Sequence, residues 1–292
     1  MIQKPPKSKL QKPKMPMPTV PTVPDSKTEF KVEPWSAGTG EKIIIYSDTG
    51  MGKSTLARLA PRPVWLGLDD GAGKLKKPGT NDPLDRIPDI HTFSDVRTVL
   101  QQVDLYDNFD TIVVDHSTVL EDWGTIHVVN TIPTTKGQPV ANIEAYGWKE
   151  GYRHLYDAMR GPLADCDELI RRGKNIIFIA QATTHKVSHP GGAESFLRAG
   201  PRLYSGYPIS IEDLYSEWAS YILRIDYTDV FVSKKHKISG ETTRAIYVQP
   251  EVWFRAKTRT PWYDEDGNLI SAVTFENPDD DSIWQFIFGG GE

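Results

Sequence analysis

The stretch that decides the fold is Ser47-Asp48-Thr49-Gly50-Met51-Gly52-Lys53-Ser54-Thr55. It follows a short run rich in β-branched residues, 42–47, and precedes a helical pattern over 53–60 that Pro61 and Pro63 bring to an end. A glycine-rich turn between a strand and a helix is the context in which a phosphate-binding P-loop occurs. Gly50 and Gly52 let the backbone wrap closely around a phosphate, because no Cβ atom obstructs the approach.

The backbone of such a loop supplies much of its affinity for phosphate. Consecutive N–H groups point into the loop, and the start of the helix adds positive potential. We therefore predict that residues 47–55 bind ATP, that Lys53 reaches the β- and γ-phosphates, and that the Ser54 hydroxyl coordinates Mg²⁺. The usual pattern begins with glycine, where this chain has Ser47; serine fits the turn if its φ is negative.

A buried strand that ends in an acid completes the predicted phosphate site. Residues 110–115 read Asp-Thr-Ile-Val-Val-Asp, and the apolar run delivers Asp115 to the carboxyl edge of the sheet. Ligands bind at this edge in open α/β folds. Asp115 is predicted to hold Mg²⁺ through water. We interpret His116, the next residue, as a loop or packing residue rather than a catalyst.

Polar residues also follow two other predicted strands. The run 64–68 ends in Asp69 and Asp70, and either carboxylate could orient or deprotonate an attacking water. The alternative is a solvated turn before Gly71. Gln181 ends the strand 175–180 and is predicted to sense the γ-phosphate and to move the loop that follows. A glutamine that only caps the strand is the alternative.

The composition is that of a globular protein. Of the 292 residues, 38% are hydrophobic and 25% are charged. No apolar run approaches the ~20 residues that a membrane-spanning helix needs. Cys166 is the only cysteine, so no intrachain disulfide can form, and a cytoplasmic location is expected.

The charge is distributed unevenly along the chain. Residues 1–32 carry seven lysines against Asp25 and Glu29, although the net charge of the whole chain is −5. The remainder is therefore distinctly acidic, which excludes the broad basic surface of a dedicated DNA-binding domain. Any contact with nucleic acid has to be local.

The pattern along the chain predicts three segments. Residues 1–40 alternate proline with lysine and are predicted to form a disordered arm, which serves either as a solubilising tail or as a basic contact for nucleic acid or a partner. Residues 41–265 are predicted to form one ATPase domain, and 266–292 a C-terminal extension with a short terminal helix.

Strand–helix alternation with continuous apolar strands predicts an α/β fold for the central segment. We expect a mostly parallel twisted sheet with helices on both faces and antiparallel strands toward the C-terminus. Gly161-Pro162 is expected to kink or break the helix that begins near Trp148. Residues 182–213 are expected to form a long loop, and 252–256 a further strand.

Taken together, these motifs resemble a known family. The P-loop, the strand that ends in acids, Ile-Val-Val-Asp-His-Ser-Thr at 112–118 and Ile-Ile-Phe-Ile-Ala-Gln at 176–181 have the order and spacing of RecA-like ATPases. A closer resemblance is to phage-encoded AAA-type nucleotide-binding proteins, RecA-core-only ATPases. It includes Tyr146-Gly147-Trp148 and the segment Arg255-Ala256-Lys257-Thr258-Arg259-Thr260, and it covers roughly residues 40–262.

The resemblance implies an oligomer and a DNA partner. Lys257 and Arg259 would be trans-acting fingers that stabilise charge on the phosphoryl group bound by the neighbouring subunit of a ring or filament. Loop 182–213 would face single-stranded DNA, for which its Arg, Lys and aromatic residues are suited, although a plain surface loop is the alternative. Recombination proteins or single-stranded-DNA-binding proteins would be partners.

Two rival functions share the same P-loop. A P-loop kinase would transfer the γ-phosphoryl group to a small molecule. Such kinases usually carry an arginine-rich lid, whereas loop 182–213 has only Arg198 and Arg202. A nucleotide-dependent loader or scaffold would bind ATP without hydrolysing it.

Overall fold

The main sheet is built around its first strand, Lys42–Ser47. The computed structural model describes residues 39–188, 191–192, 195–228, 230–232, 238–240 and 243–289. The strands within these residues are β1 Lys42–Ser47, β2 Pro63–Gly67, β3 Thr111–Asp115, β4 Asn175–Ser188, β5 Ser195–Pro201, β6 Tyr221–Tyr227, β7 Val230–Val232, β8 Ile238–Gly240, β9 Arg244–Tyr247 and β10 Ala272–Thr274. Apart from residues 39 and 40, the predicted basic arm 1–40 lies outside the described residues.

The strand order across the main sheet is β10-β9-β6-β1-β4-β3-β2. The five strands from β6 to β2 run parallel, whereas β9 and β10 are antiparallel additions at one edge. After β1, the chain forms β2, β3 and β4 on one side of β1 and later forms β6 on its other side. The strand order therefore reverses at β1. The predicted α/β fold, a mostly parallel sheet with antiparallel strands near the C-terminus, is confirmed.

Six α-helices accompany these strands in the described part of the chain. They are α1 Lys53–Ala57, α2 Phe93–Gln101, α3 Ser117–Thr131, α4 Glu150–Arg171, α5 Ile211–Trp218 and α6 Ser282–Phe288. Among the described helices, none has both the length and the apolar character that crossing a membrane would require.

The alternation of side chains along β1 creates two hydrophobic layers. Ile44 and Tyr46 face a layer that α2, α3, α4 and α5 complete, whereas Ile43 and Ile45 face a second layer closed by α1 and α6. All four side chains are at most 1% exposed. Burial on both faces explains why the central strands read as continuous apolar runs rather than as alternating ones.

Of the two outcomes expected at Gly161-Pro162, a kink or a break of the helix, the break does not occur. Pro162 lies inside α4, which continues for 22 residues, from Glu150 to Arg171. A proline in a helix interior costs about 3 kcal/mol through its lost hydrogen bond and steric clash. In α4 this cost is offset by one continuous buried face, to which Met159, Leu163 and Cys166 belong.

The segment 182–213 is not the expected long loop. β4 continues past Gln181 to Ser188 and pairs antiparallel with β5, so that Ala182 lies opposite Pro201. The predicted strand 252–256 is reduced to isolated bridges, of which one joins Phe254 to Ala199. The hairpin was obscured in the sequence because its exposed strands lack the apolar runs typical of the core.

The C-terminal residues belong to the same compact unit as the rest of the described chain. β10 pairs with β9, and the predicted terminal helix is present as α6. Ile283, Trp284 and Ile287 of this helix are buried against the layer that contains α1. Residues 266–289 are therefore part of the domain rather than an extension of it.

Candidate functional site

The carboxyl ends of four parallel strands meet at one edge of the sheet. Ser47 at the end of β1 lies beside Gln181 of β4, and Asp115 at the end of β3 lies beside Gly67 of β2. Asp69 follows β2 by two residues. The parallel register therefore gathers the predicted site residues, which are distant in sequence, around the glycine loop 47–55.

The loop has the backbone shape that its glycines predict. Gly50 has φ 84° and Gly52 has φ 101°, values in the left-handed region that glycine tolerates best. A Cβ atom on Gly50 would meet no atom within 4 Å, so this glycine borders open space. Gly52 is the N-cap of α1 and leads directly into Lys53. The loop therefore has room for a phosphate in front of its backbone.

Lys53 lies almost fully inside the loop, with 7% of its surface exposed. Its Nζ donates to the carbonyl oxygens of Ser47 and Asp48, each at 3.0 Å, and to Oε1 of Gln181 at 3.2 Å. Burial lowers the pKa of Lys53, and the carboxylate of Asp115 is the largest opposing influence. The ammonium is thus held where the phosphates of a bound nucleotide would place their negative charge.

Asp115 and Ser54 provide a set of oxygen atoms opposite this lysine. The Ser54 hydroxyl donates to Oδ2 of Asp115 at 2.8 Å, and Nε1 of Trp65 lies 3.4 Å from the same oxygen. Burial raises the pKa of Asp115, while the Ser54 hydrogen bond opposes that shift. A hydroxyl beside a buried carboxylate is the hard-oxygen donor set that suits Mg²⁺, so these residues fit the predicted metal.

The two candidate acids after β2 differ in their surroundings. Nε2 of His116 lies 3.1 Å from Oδ2 of Asp69, and the backbone N–H of Gly71 donates to Oδ1 of Asp69 at 2.9 Å. Its charge also acts on both Lys53 and Asp115. Asp70 is exposed, as Asp69 is, but its side chain has no hydrogen-bond partner within the described residues. The structure therefore favours Asp69 as the acid that belongs to the site.

His116 has a larger part in this arrangement than the sequence indicates. Its Nδ1 accepts from the backbone N–H of Val119 at 3.3 Å and caps α3, so its Nε2 carries the proton that faces Asp69. Trp65 was also not predicted as a site residue, because a tryptophan within an apolar strand is typical of the hydrophobic core. The predicted carboxylates at the ends of β2 and β3 could have indicated that His116 and Trp65, which are close to them in sequence, belong to the site.

Gln181 contacts the glycine loop directly. Its Oε1 accepts from the Thr49 hydroxyl at 3.3 Å as well as from Lys53. Its backbone carbonyl accepts from the N–H of Arg202 at 2.7 Å, which ties it to the end of the β4–β5 hairpin. One residue thus touches both the phosphate loop and the hairpin.

Lys257 and Arg259 lie at the other end of the sheet. Nζ of Lys257 donates to the carbonyl oxygens of Ser216, Glu217 and Ala219 at the C-terminal end of α5. Nε of Arg259 donates to the Ser220 hydroxyl at 3.0 Å, beside the amino end of β1. The structure does not bring them to the loop of their own subunit. They also do not lie on a regular strand, since within the described residues Lys257 forms only an isolated bridge to Ile222.

The site consists of a strand, a glycine loop, a helix that begins with Lys53, and a buried carboxylate two strands away in the sheet. These features define a P-loop nucleotide-binding protein. Residues 39–260 match the model of the AAA domain family. The chain belongs to that family. No curated protein matches the chain at a significant level.

Two solved structures resemble the fold at low identity. A RadB recombinase is 17% identical, with a TM-score of 0.40, over 72% of this chain and 80% of that chain. A KaiC-like protein from the hyperthermophilic archaeon Pyrococcus horikoshii OT3 is 11% identical, with a TM-score of 0.44, over 82% of this chain and 88% of that chain. Neither likeness bears on activity or partners.

Proposed function

We propose that this protein hydrolyses ATP with the help of Mg²⁺ and couples the reaction to single-stranded DNA during recombination or replication. The observation that carries the hydrolytic part is the convergence of Lys53, Ser54, Asp115 and Asp69 at one edge of the sheet. A protein that only binds nucleotide would need the loop and Lys53. It would not need a second carboxylate, here Asp69, positioned to act on a water molecule.

The roles of the side chains follow from their contacts. Lys53 would neutralise charge on the β- and γ-phosphates, and the backbone of 47–55 would surround them. Ser54 and Asp115 would hold Mg²⁺, which when bound supplies positive charge to the phosphate oxygens. Asp69 would orient the attacking water, because His116 lies beside its Oδ2 and the Gly71 N–H donates to its Oδ1.

Gln181 is suited to report the state of the γ-phosphate. Its amide accepts from the Lys53 ammonium, and a bound phosphate would compete for the same proton donor. A change in the Gln181 side chain would act on the strand that continues into the β4–β5 hairpin. We therefore place the nucleotide-dependent movement in this hairpin, as the sequence pattern predicts for the loop after Gln181.

The surface around this hairpin supports contact with single-stranded DNA. A groove of about 380 Å³ runs beside it, and Lys186 and Arg198 are among the residues that line it. Arg255 also lines the groove but is paired with Glu212 and Asp213, so Lys186 and Arg198 are the cations offered to DNA. Tyr207, which lines this groove, is 89% exposed, and Trp148 is a second fully exposed ring. Lysine and arginine suit phosphates, and exposed rings provide faces on which unpaired bases stack.

Two contacts hold these rings on the same side of the molecule. Nζ of Lys149 donates to the carbonyl oxygen of Tyr207, which brings the neighbour of Trp148 to the loop 202–208. Tyr152 stacks on Tyr204 with ring centroids 4.1 Å apart. Trp148 and Tyr207 therefore project from segments that are fastened to each other.

Assembly into a ring or filament is part of the proposal. Lys257 and Arg259 cannot reach their own phosphate loop from the amino edge of the sheet, so any role in hydrolysis has to be in a neighbouring subunit. In the phage setting that the motifs resemble, a recombination protein or a single-stranded-DNA-binding protein would be the partner on DNA.

A small-molecule kinase is the second candidate. A cavity of about 390 Å³ lies beside Asp69, and its lining includes Trp65, Leu84 and Arg86. Such a cavity has the size and mixed polarity of a ligand site. Transfer of labelled γ-phosphate to nucleosides or nucleotides, instead of to water, would replace the ATPase proposal with this one.

Single-turnover hydrolysis tests the main proposal. Wild-type protein with ATP and Mg²⁺ should release phosphate, faster with single-stranded DNA, and the stimulation should decline as salt is raised. Lys53→Ala should abolish release. ATP binding with no phosphate release under either condition would support a non-hydrolysing loader and contradict the proposal.

A further inference from the structure

Arg244 connects an edge strand of the sheet to the phosphate loop. It is the first residue of β9, and its Nη1 donates to the carbonyl oxygen of Met51 at 2.9 Å, across a separation of 193 residues. Within the described residues, the Arg244 guanidinium donates no other hydrogen bond. An arginine with five N–H groups is thus directed at one carbonyl of the loop.

The orientation of this carbonyl fixes that of the next amide. The Met51 C=O and the Gly52 N–H belong to the same planar trans peptide, so they point in opposite directions. When Arg244 holds the carbonyl outward, the Gly52 N–H is turned toward the inner side of the loop. In the described residues no protein atom accepts from this N–H, although the Gly52 carbonyl accepts from Leu56. The amide therefore remains available to a phosphate oxygen.

Phe275 holds the guanidinium in this position. The Arg244 guanidinium carbon lies 5.1 Å from the centroid of the Phe275 ring, within the range of a cation–π contact. Phe275 is 1% exposed, so its ring has little freedom to move. A Cβ atom on Gly52 would lie 2.9 Å from Arg244 Nη1 and 3.1 Å from the Phe275 ring, which shows how closely both side chains pack on the loop.

We propose that Arg244, held by Phe275, is a positioning residue for nucleotide binding that turns the Gly52 amide toward the phosphates. This inference rests on the proposed binding of nucleotide to 47–55, and it adds two residues from the C-terminal half of the chain to that site. A loop rich in glycine is conformationally free, so an outside contact that fixes one peptide plane lowers the cost of ordering it on binding.

The test uses a fluorescent ADP derivative as the probe, because ADP binding requires neither hydrolysis nor a γ-phosphate. Arg244→Ala should weaken the affinity for this probe about tenfold, the typical effect of losing a charge-assisted hydrogen bond. Arg244→Lys keeps a donor that can reach the Met51 carbonyl and should recover most of the affinity. Phe275→Leu keeps the apolar volume but removes the ring, and should weaken binding less than Arg244→Ala does.

Arg224→Ala is the matched control. Arg224 is also a strand arginine over a phenylalanine, with its guanidinium carbon 4.4 Å from the Phe254 ring, but it has no contact with the loop. This variant should bind the probe as the wild type does, with a comparable change in melting temperature.

Three results would overturn the inference while leaving the proposed function intact. They are wild-type affinity in Arg244→Ala, an equal loss of affinity in Arg224→Ala, and no recovery in Arg244→Lys. Failure of the wild-type protein itself to bind the probe would instead contradict the proposed function. In steady-state hydrolysis, Arg244→Ala should raise the KM for ATP by a larger factor than it lowers kcat, because Arg244 acts on nucleotide binding.

Discussion

The hydroxyl of Ser54 lies 2.8 Å from Oδ2 of Asp115, although 61 residues separate the two in the chain. The first belongs to the helix after β1, and the second ends β3, two strands away in the sheet. Two oxygen ligands for a cation are thus set by sheet order rather than by proximity in sequence. Because both are in contact in the structure, the metal part of the site is open to direct test.

Asp115→Asn should separate nucleotide binding from its dependence on Mg²⁺. The amide cannot supply the negative charge that balances the cation, so Mg²⁺ should no longer strengthen ATP binding, and turnover should fall about 100-fold or more. Titration of ATP with and without Mg²⁺ measures this effect. Asp110→Asn, at the other end of the same strand, removes only an exposed partner of Arg62 and should keep the wild-type response. An unchanged Mg²⁺ response in Asp115→Asn would show that the metal lies elsewhere.

Asp69→Asn should be far more damaging than Asp70→Asn. Only Asp69 is held by His116 and by the Gly71 N–H in a position from which a carboxylate can orient water. Asp69→Asn is expected to lower kcat about 100-fold at nearly constant KM, and Asp70→Asn about twofold or less. Steady-state phosphate release by the two variants compares adjacent residues of the same chemistry. Equal effects would mean that neither residue positions the water.

Lys257→Ala should lower stability rather than turnover alone. Its ammonium donates to three carbonyl oxygens at the end of α5, where helices leave such groups without partners. Loss of these bonds should reduce the free energy of unfolding by about 1–3 kcal/mol, measurable by denaturant titration. If Lys257→Ala has the stability of the wild type but a reduced turnover, Lys257 would instead act only in the active site of a neighbouring subunit.

Arg259→Ala distinguishes a trans-acting finger from a local contact. Arg259 donates to Ser220 and contacts none of its own phosphate loop. If Arg259 acts in trans, Arg259→Ala should still bind ATP, but its turnover should fall sharply. Mixing Lys53→Ala protein into wild-type protein should then change the total turnover by more or less than the fraction of the variant in the mixture. Turnover per subunit that is independent of protein concentration and unaffected by Arg259→Ala would exclude the trans role.

Trp148→Ala and Tyr207→Ala should each weaken binding to single-stranded DNA. Stacking of one base contributes about 1–3 kcal/mol, which corresponds to a loss of affinity of about 5- to 150-fold. Fluorescence anisotropy with a labelled oligonucleotide at fixed salt measures the loss. Tyr263→Ala removes another exposed ring, 59% exposed, which does not line the groove, and serves as the control. Equal losses in all three variants would indicate nonspecific adhesion.

Glu121 should make stability depend on pH. Burial raises the pKa of Glu121 from 4.5 to about 7, although the Tyr204 backbone N–H donates to it at 2.7 Å. The folded state therefore binds this proton more tightly than the unfolded chain. The contribution of Glu121 to stability is complete below about pH 4.5 and is lost as the pH rises through about 7.

Glu121→Gln removes this titration but keeps an oxygen that accepts from Tyr204. The variant should exceed the wild type in free energy of unfolding at about pH 8, and the gain should shrink or vanish at about pH 5. Denaturant titrations at the two pH values give the difference. A gain that is the same at both values would mean that the Glu121 carboxyl is already neutral or already charged throughout this range.

The parts of the site that could be predicted are those encoded in consecutive residues. The glycine loop, the acid at the end of β3 and the glutamine on β4 each belong to a strand with its own apolar pattern, and parallel pairing brings strand ends together. No local pattern links Arg244 or Phe275 to Met51, since these contacts depend on how β9 and the chain after β10 fold back. The choice of Asp69 over Asp70 likewise required the position of His116.

The errors in the fold have a common physical origin. Pro162 was expected to end a helix because local preference disfavours it, but burial of one face along α4 is the stronger effect. The β4–β5 hairpin was interpreted as a loop because exposed strands carry polar residues and need only backbone pairing. In both cases, contacts between distant segments override the preference of single residues.

The indole of Trp284 donates to the carbonyl oxygen of Leu56 at 3.0 Å, across 228 positions of the chain. During synthesis, Leu56 of α1 is made 228 positions before Trp284 of the helix that covers it. Domains tend to fold as units once their chain is available. The nascent chain should thus acquire its affinity for nucleotide only once α6 has been made, and fragments that stop before α6 should fail to bind nucleotide.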